Sequence, residues 1–247
     1  MIIAAVPVKD LENAKQRLVS VLTPAERNEL ACAMLRDVLR ALASAAPDLV
    51  WVVTREPAVA AIARALGAEP LTEAENRGHT AAVAFAQAEA SSRGARVFLT
   101  VPGDVPRVTA GELKQLAAAA IPGKPVFVPS RSGLGTNGVA LAPPDAMTLR
   151  FGEPSFENHL AAARRLGLTP RVLDLPGLGL DVDAPDDLAT LLDEDATTET
   201  GQLLRRWLTL QGESGVVKRA MRSRLAAISG HPRSKPASRS PLERNGP

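Results

Sequence analysis

The sequence predicts an α/β fold, a mostly parallel mixed sheet with helices on both faces. Two observations carry that expectation. Short apolar runs of strand length alternate with longer segments of helical period, and Gly or Pro marks most of the changes between them. This βαβα rhythm implies a sheet covered on both sides, with ligands bound beyond the carboxyl ends of its strands.

Taken in order, "MIIAAVPV" reads as a buried first strand. Residues 24–46 read as a helix opened by Thr23 and Pro24, the N-cap then Pro order that suits a helix start. "LVWVVT" follows as a strand and "PAVAAIARALG" as a helix ended by Gly67, then a short "EPLT" and the alanine-rich stretch 78–93. "ARVFLTVPGDVP" reads as a fully buried strand running into a turn, with a helix over 109–120 behind it. After Pro122 the rhythm changes. "PVFVPS", the glycine turn "SGLGTNG" and "VALAP" suggest a smaller mixed-sheet section able to form the acceptor side of a cleft. "FGEPSFENHLAAARRLG" then reads as loop and helix, and "PRVLDLPGLGLDVDAPDDLATLL" as strand, loop and helix.

Of the 247 residues 45% are hydrophobic and 23% charged, enough for one sizeable core. The net charge of +2 hides an asymmetry. Residues 212–247 hold eight Lys or Arg against Glu213 and Glu243, while residues 1–211 carry 21 basic and 25 acidic groups. We therefore expect a single domain over 1–211 and a basic, disordered tail over 212–247, with at most a short helix at 215–228. A mildly acidic body argues against a nucleic-acid surface on the fold itself. Cys32 stands alone, which excludes an internal disulfide and favours a reducing compartment, and no apolar run reaches membrane-spanning length; the expectation is a cytoplasmic, unprocessed protein.

Five segments could carry chemistry. Asp104 in "LTVPGDVP" sits just past a buried strand, where α/β enzymes reach their ligands, though Asp also serves turns through its own backbone hydrogen bonds. In "GLGLDVDAPDDL", Asp181 and Asp183 alternate along an extended segment and so share one side. Asp186 and Asp187 have an ordinary role as first-turn acids of a helix. Two like charges on one side repel unless a cation lies between them, and with Asp104 they make three oxygen ligands suited to Mg²⁺ or Mn²⁺. Lys9, Lys15 and Arg17, delivered to the same rim by the first strand, would suit a polyphosphate. "SGLGTNG" and "FGEPSF" could present N–H groups with the Thr136 and Ser155 hydroxyls to a phosphate or carboxylate, or they could simply form a hairpin turn and a helix cap. G-x-S-x-G, H-E-x-x-H and P-loop motifs are all missing, and neither His79 nor His159 has a nucleophile partner.

In order and spacing, "AVPVKDLENAKQRL", "PGDVP", "GTNG", "FGEPSFENH" and "LDVDAPDDL" resemble the guanylyltransferases that make the activated three-carbon precursor of coenzyme F-420. Their acceptor is 2-phospho-L-lactate, phosphoenolpyruvate or 3-phospho-D-glycerate. The resemblance covers about residues 2–195 and implies a Rossmann-like nucleotidyltransferase fold. It also implies that Asp104, Asp181 and Asp183 hold Mg²⁺, that Thr136, Gly152 and Ser155 bind the phosphorylated acid, and that Lys9, Lys15 and Arg17 face the GTP phosphates. The chain departs from the family pattern at Gly78, His79 and Thr80, at Val105, and at Gly138 and Val139. The competing readings are a nucleotidyltransferase for sugar phosphates or molybdopterin, and a binding protein that acts through its basic tail. The oligomeric state is left open.

Overall fold

A computed structural model describes residues 1–8, 15–75, 77–194 and 197–210, and with them a single seven-stranded sheet. The expected tail and its short helix lie outside the described residues. Strands β1 (Ile2–Pro7), β2 (Leu49–Val53), β3 (Glu69–Leu71) and β4 (Val97–Thr100) come first, then β5 (Val126–Pro129), β6 (Thr136–Leu141) and β7 (Arg171–Val172). Across the sheet their order is β3-β2-β1-β4-β6-β5-β7. All pairings are parallel except those of β6, which runs antiparallel to both β4 and β5. The predicted mixed, mostly parallel sheet is therefore present, and the change of rhythm after Pro122 marks the inverted strand.

Helices α1 (Pro24–Ala45), α2 (Pro57–Ala65) and α4 (Ala110–Ala119) pack on one face, α3 (His79–Ser92) and α5 (Ser155–Arg165) on the other. The strands serve both faces. In β1, Ala4 and Val6 join the core under α1, while Ile3 and Ala5 join the core under α3, and all four are fully buried. This is why the first strand reads as a continuous apolar run. Two helix starts follow from the sequence directly: Thr23 with Glu26 and Thr109 with Glu112 each form a reciprocal capping box.

Beyond these lie α6 (Pro176–Gly179), α7 (Pro185–Glu194) and α8 (Glu199–Leu210). The sequence reading gave α7 but neither α6 nor α8. Helix α8 packs on α1, with Leu203, Leu204 and Trp207 closing a third apolar cluster around Leu30 and Met34. Its start depends on a remote side chain. Asp37 of α1 accepts hydrogen bonds from the N–H of Glu199 (2.8 Å) and of Thr200 (2.9 Å) and from the Thr200 hydroxyl (2.6 Å). Arg36 and Arg40 flank it with ion pairs to Glu199 at 2.9 and 2.7 Å. Burial raises the Asp37 pKa against the pull of these hydrogen bonds.

Because that carboxylate caps α8 from outside, Asp37→Ala should cost about 2 kcal/mol, the loss of a cap plus a buried partner. Urea unfolding followed by Trp207 emission checks it, and unchanged stability would contradict the cap.

Candidate active site

Strands β1 and β4 end side by side, with Ala5 paired to Thr100, so the loops that leave them open on one rim. From β4 the chain passes through 101–103 to Asp104. Gly103 packs against the exit of β1, where a Cβ would stand 3.2 Å from Val8 Cγ2. Inverted β6 begins at this same rim. Its Val139 pairs with Thr100, which leaves Thr136 and Asn137 beyond the end of β4, beside Asp104. Gly138 permits the close approach of α6, since a Cβ there would lie 2.6 Å from Leu178 Cδ2.

A third segment, residues 180–183, is tied in by main-chain bonds. The Val182 N–H donates to the Asp104 carbonyl (3.0 Å). Asp187 accepts from the N–H groups of Asp183 (3.0 Å) and Ala184 (2.7 Å), so this first-turn acid also shapes the turn that carries Asp183. Asn137 Nδ2 donates to Asp181 Oδ1 (3.1 Å) and to the carbonyls of Leu178 and Gly179. Sequence reasoning missed Asn137, because within "GTNG" it reads as a turn residue.

The carboxylates meet a buried cation. Lys15 Nζ donates to Asp104 Oδ2 and to Asp183 Oδ1, the latter at 2.8 Å, and its side chain is 8% exposed. Burial pushes the ammonium pKa down, but the charges of Asp104 and Asp183 and their hydrogen bonds outweigh it, so the pKa is raised. The Lys15 backbone is left-handed (φ 56°), an unfavourable setting of about 1 kcal/mol for a residue with a Cβ. Asp181 is raised by burial first and by the neighbouring charges of Asp104 and Asp183, against the hydrogen bond from Asn137. Asp104 Oδ1 is buried and has no hydrogen-bond partner among the described residues.

A cavity of about 460 Å³ opens between these segments. Six of the predicted site residues line it: Asp104, Asp181 and Asp183 with Thr136, Gly152 and Ser155. Gly152 adopts φ 113°, a conformation that side chains rarely take. Arg77, His79 and Glu153 also border the space. Arg17 lies exposed on a turn of 3-10 helix and is not among the lining residues, and Lys9 lies outside the described residues. Among the described residues no three acidic, imidazole or thiol groups are already arranged around a metal position; Lys15 is the cation that bridges Asp104 and Asp183.

Behind the cavity wall is His159, 2% exposed. It stacks on Phe127 (5.4 Å, 7°) and meets Phe151 edge-on. Its Nδ1 lies 3.0 Å from Thr136 Oγ1, and its Nε2 accepts the Arg150 N–H at 3.0 Å.

The family model described as "Guanylyl transferase CofC like" matches residues 2–222. The chain belongs to this guanylyl transferase family. Among the CofC-like relatives, the phosphoenolpyruvate guanylyltransferase of Rubrobacter xylanophilus is 40% identical over 191 residues, covering 77% of this chain and 93% of the relative. The 2-phospho-L-lactate guanylyltransferase of Methanothermobacter thermautotrophicus is 36% identical, covering 82% and 89%. A solved nucleotidyl transferase from Methanothermobacter superposes with a TM-score of 0.60 at 15% identity, covering 83% of this chain and 99% of that one. That last likeness concerns the fold alone. This CofC-like chain is a nucleotidyltransferase, and no helix among its described residues is long and apolar enough to cross a membrane.

Burial lowers the His159 pKa from 6.5 to about 4. The unfolded chain takes up that proton first, so His159 contributes stability above pH 6.5 that is lost as pH falls toward 4, up to roughly 3 kcal/mol. Denaturant titrations of wild type and His159→Phe at pH 7 and pH 4.5 should converge at the lower pH; parallel losses would contradict a buried neutral imidazole.

Proposed function

We propose that the chain transfers GMP from GTP to the phosphate of a three-carbon phospho-acid and releases pyrophosphate, within coenzyme F-420 biosynthesis. Phosphoenolpyruvate, 2-phospho-L-lactate and 3-phospho-D-glycerate are the candidate acceptors. The relatives' names support the first two. The observation that carries the reading is the pairing of two chemistries in one cavity: three carboxylates on one part of its lining, and Thr136, Gly152 and Ser155 on another.

The site fits a divalent cation. Among the described residues Asp104 Oδ1 is buried without a partner, and the charges of Asp104 and Asp183 act on Asp181, so these carboxylates carry more negative charge than Lys15 offsets. Asp104, Asp181 and Asp183 would hold Mg²⁺ or Mn²⁺, which neutralises charge on the nucleotide phosphates and on the leaving pyrophosphate.

For the reaction, an acceptor phosphate oxygen forms a bond to the α-phosphorus of GTP. The bond from that phosphorus to the bridging oxygen of the β-phosphate breaks, and its electron pair leaves with pyrophosphate. A phosphate monoester is already largely ionised near neutral pH, so no side-chain base is required. What remains for the protein is position and charge. The Thr136 hydroxyl, with the backbone around Gly152 and Ser155, holds the acid on one side. Lys15, already at the carboxylates, supplies positive charge on the nucleotide side.

Pyrophosphate release with Mg²⁺, a panel of nucleoside triphosphates and the three acids tests the reading. Release should require GTP and one of these acids, and silence with all of them would overturn it. Asp104→Ala and Asp183→Ala should each lower turnover by roughly 100-fold or more, as removal of a transition-state electrostatic group does. Their circular dichroism should match wild type, and wild-type turnover in both would sink the carboxylate assignment.

A further inference from the structure

His159 is the buried titratable group that the mechanism leaves unused. It is not among the residues lining the cavity, yet one ring nitrogen is bonded to Thr136, which is. A backbone N–H can only donate, so the Arg150 bond to Nε2 (3.0 Å) requires that nitrogen to be bare. The ring is neutral, and its one hydrogen therefore sits on Nδ1. At 3.0 Å, Nδ1–H then donates to Thr136 Oγ1.

A second donor points at the same oxygen. Ser155 Oγ donates to Thr136 Oγ1 at 3.2 Å. Both acceptor positions of the Thr136 hydroxyl are thereby filled, and its own hydrogen has no acceptor among the described residues. The two predicted acid-binding hydroxyls are consequently unequal: Ser155 has spent its hydrogen inside the protein, while Thr136 has one left for the cavity. Little freedom remains for the ring, clamped between Phe127 and Phe151 and buried to 2%.

We propose that His159 is a positioning residue that commits the Thr136 hydroxyl to donate its hydrogen to an anionic oxygen of the three-carbon acceptor. This rests on the reading that Thr136 faces that acceptor. With an Nε2-protonated ring the arrangement fails. Thr136 would then donate inward to Nδ1, and an acceptor anion would meet only lone pairs.

The wild-type enzyme gives the first test. Nitrogen-15 spectra of its histidines should show His159 in the Nδ1–H form at neutral pH, and an Nε2–H ring overturns the proposal. Kinetics give the second, with GTP and whichever of phosphoenolpyruvate and 2-phospho-L-lactate supports turnover. Thr136→Val, His159→Phe and His159→Gln should each raise the acceptor KM by roughly tenfold or more, the loss expected for a hydrogen bond to a charged group, and leave the GTP KM unchanged. His159→Asn, whose amide nitrogen can stand near the Nδ1 position, should stay close to wild type. In a Thr136→Val background, His159→Phe should add nothing further to the acceptor KM.

An unchanged acceptor KM in Thr136→Val overturns the acceptor reading itself. A raised KM there with unchanged values in His159→Phe and His159→Gln, or equal losses in His159→Asn and His159→Gln, overturns only the positioning role. Should His159→Phe not fold, the Asn and Gln variants and the wild-type spectra still decide.

Discussion

The site is organised by the mutual repulsion of carboxylates that the fold forces onto one sheet rim. Asp104 arrives from the end of β4, Asp181 and Asp183 from a segment more than 70 residues later, and the main-chain bond from Val182 to Asp104 holds the two segments together. Such a cluster is unfavourable without a counter-charge. Lys15 supplies one from the exit of β1, in a left-handed backbone setting and almost fully buried. The ion pairs with Asp104 and Asp183 are what make that burial and that backbone tolerable.

Strand inversion supplies the other half. Had β6 run parallel to β4, its first residues would lie at the opposite edge of the sheet, far from the carboxylates. Running antiparallel, it starts where β4 ends, and Thr136 and Asn137 arrive at the rim together. Asn137 turns toward Asp181 while Thr136 turns toward His159 and Ser155, so adjacent residues of one strand serve the two sides of the site, as the alternation of a strand dictates. Gly138 next along the strand admits Leu178 of α6, and Gly177 sits where a Cβ would meet the Arg107 carbonyl at 2.3 Å. Close packing of α6 thereby sets where the Asp181 segment begins.

Much of this was legible because it is local. Continuous apolar runs gave β1, β2 and β4, Thr23 with Pro24 announced α1, and Asp104 stood out as a carboxylate just past a buried strand. Thr136, Gly152, Ser155, Asp181 and Asp183 were singled out from motifs, and the fold brings them to one cavity. What stayed hidden depends on partners distant in the chain. Helix α8 has a local cap in Thr198, whose hydroxyl accepts from the Gly201 N–H at 3.0 Å, but the carboxylate that takes its first two N–H groups, Asp37, lies more than 160 residues earlier. Asn137 looks like a turn residue until Asp181 is beside it, and His159 looks like an ordinary helix residue until its ring is seen between Thr136 and Arg150. The three cations were expected on a triphosphate. Of the two described, Lys15 lies on the carboxylates and Arg17 is exposed outside the lining.

The central proposal is that Asp104, Asp181 and Asp183 take up a divalent cation at the point where Lys15 now bridges Asp104 and Asp183. Titration of Mn²⁺ into the nucleotide-free protein, followed by the loss of free-ion paramagnetic resonance signal, measures this directly. The prediction is one bound ion per chain in wild type and loss of that site in Asp104→Asn and Asp181→Asn. Equal binding by wild type and both variants would contradict it.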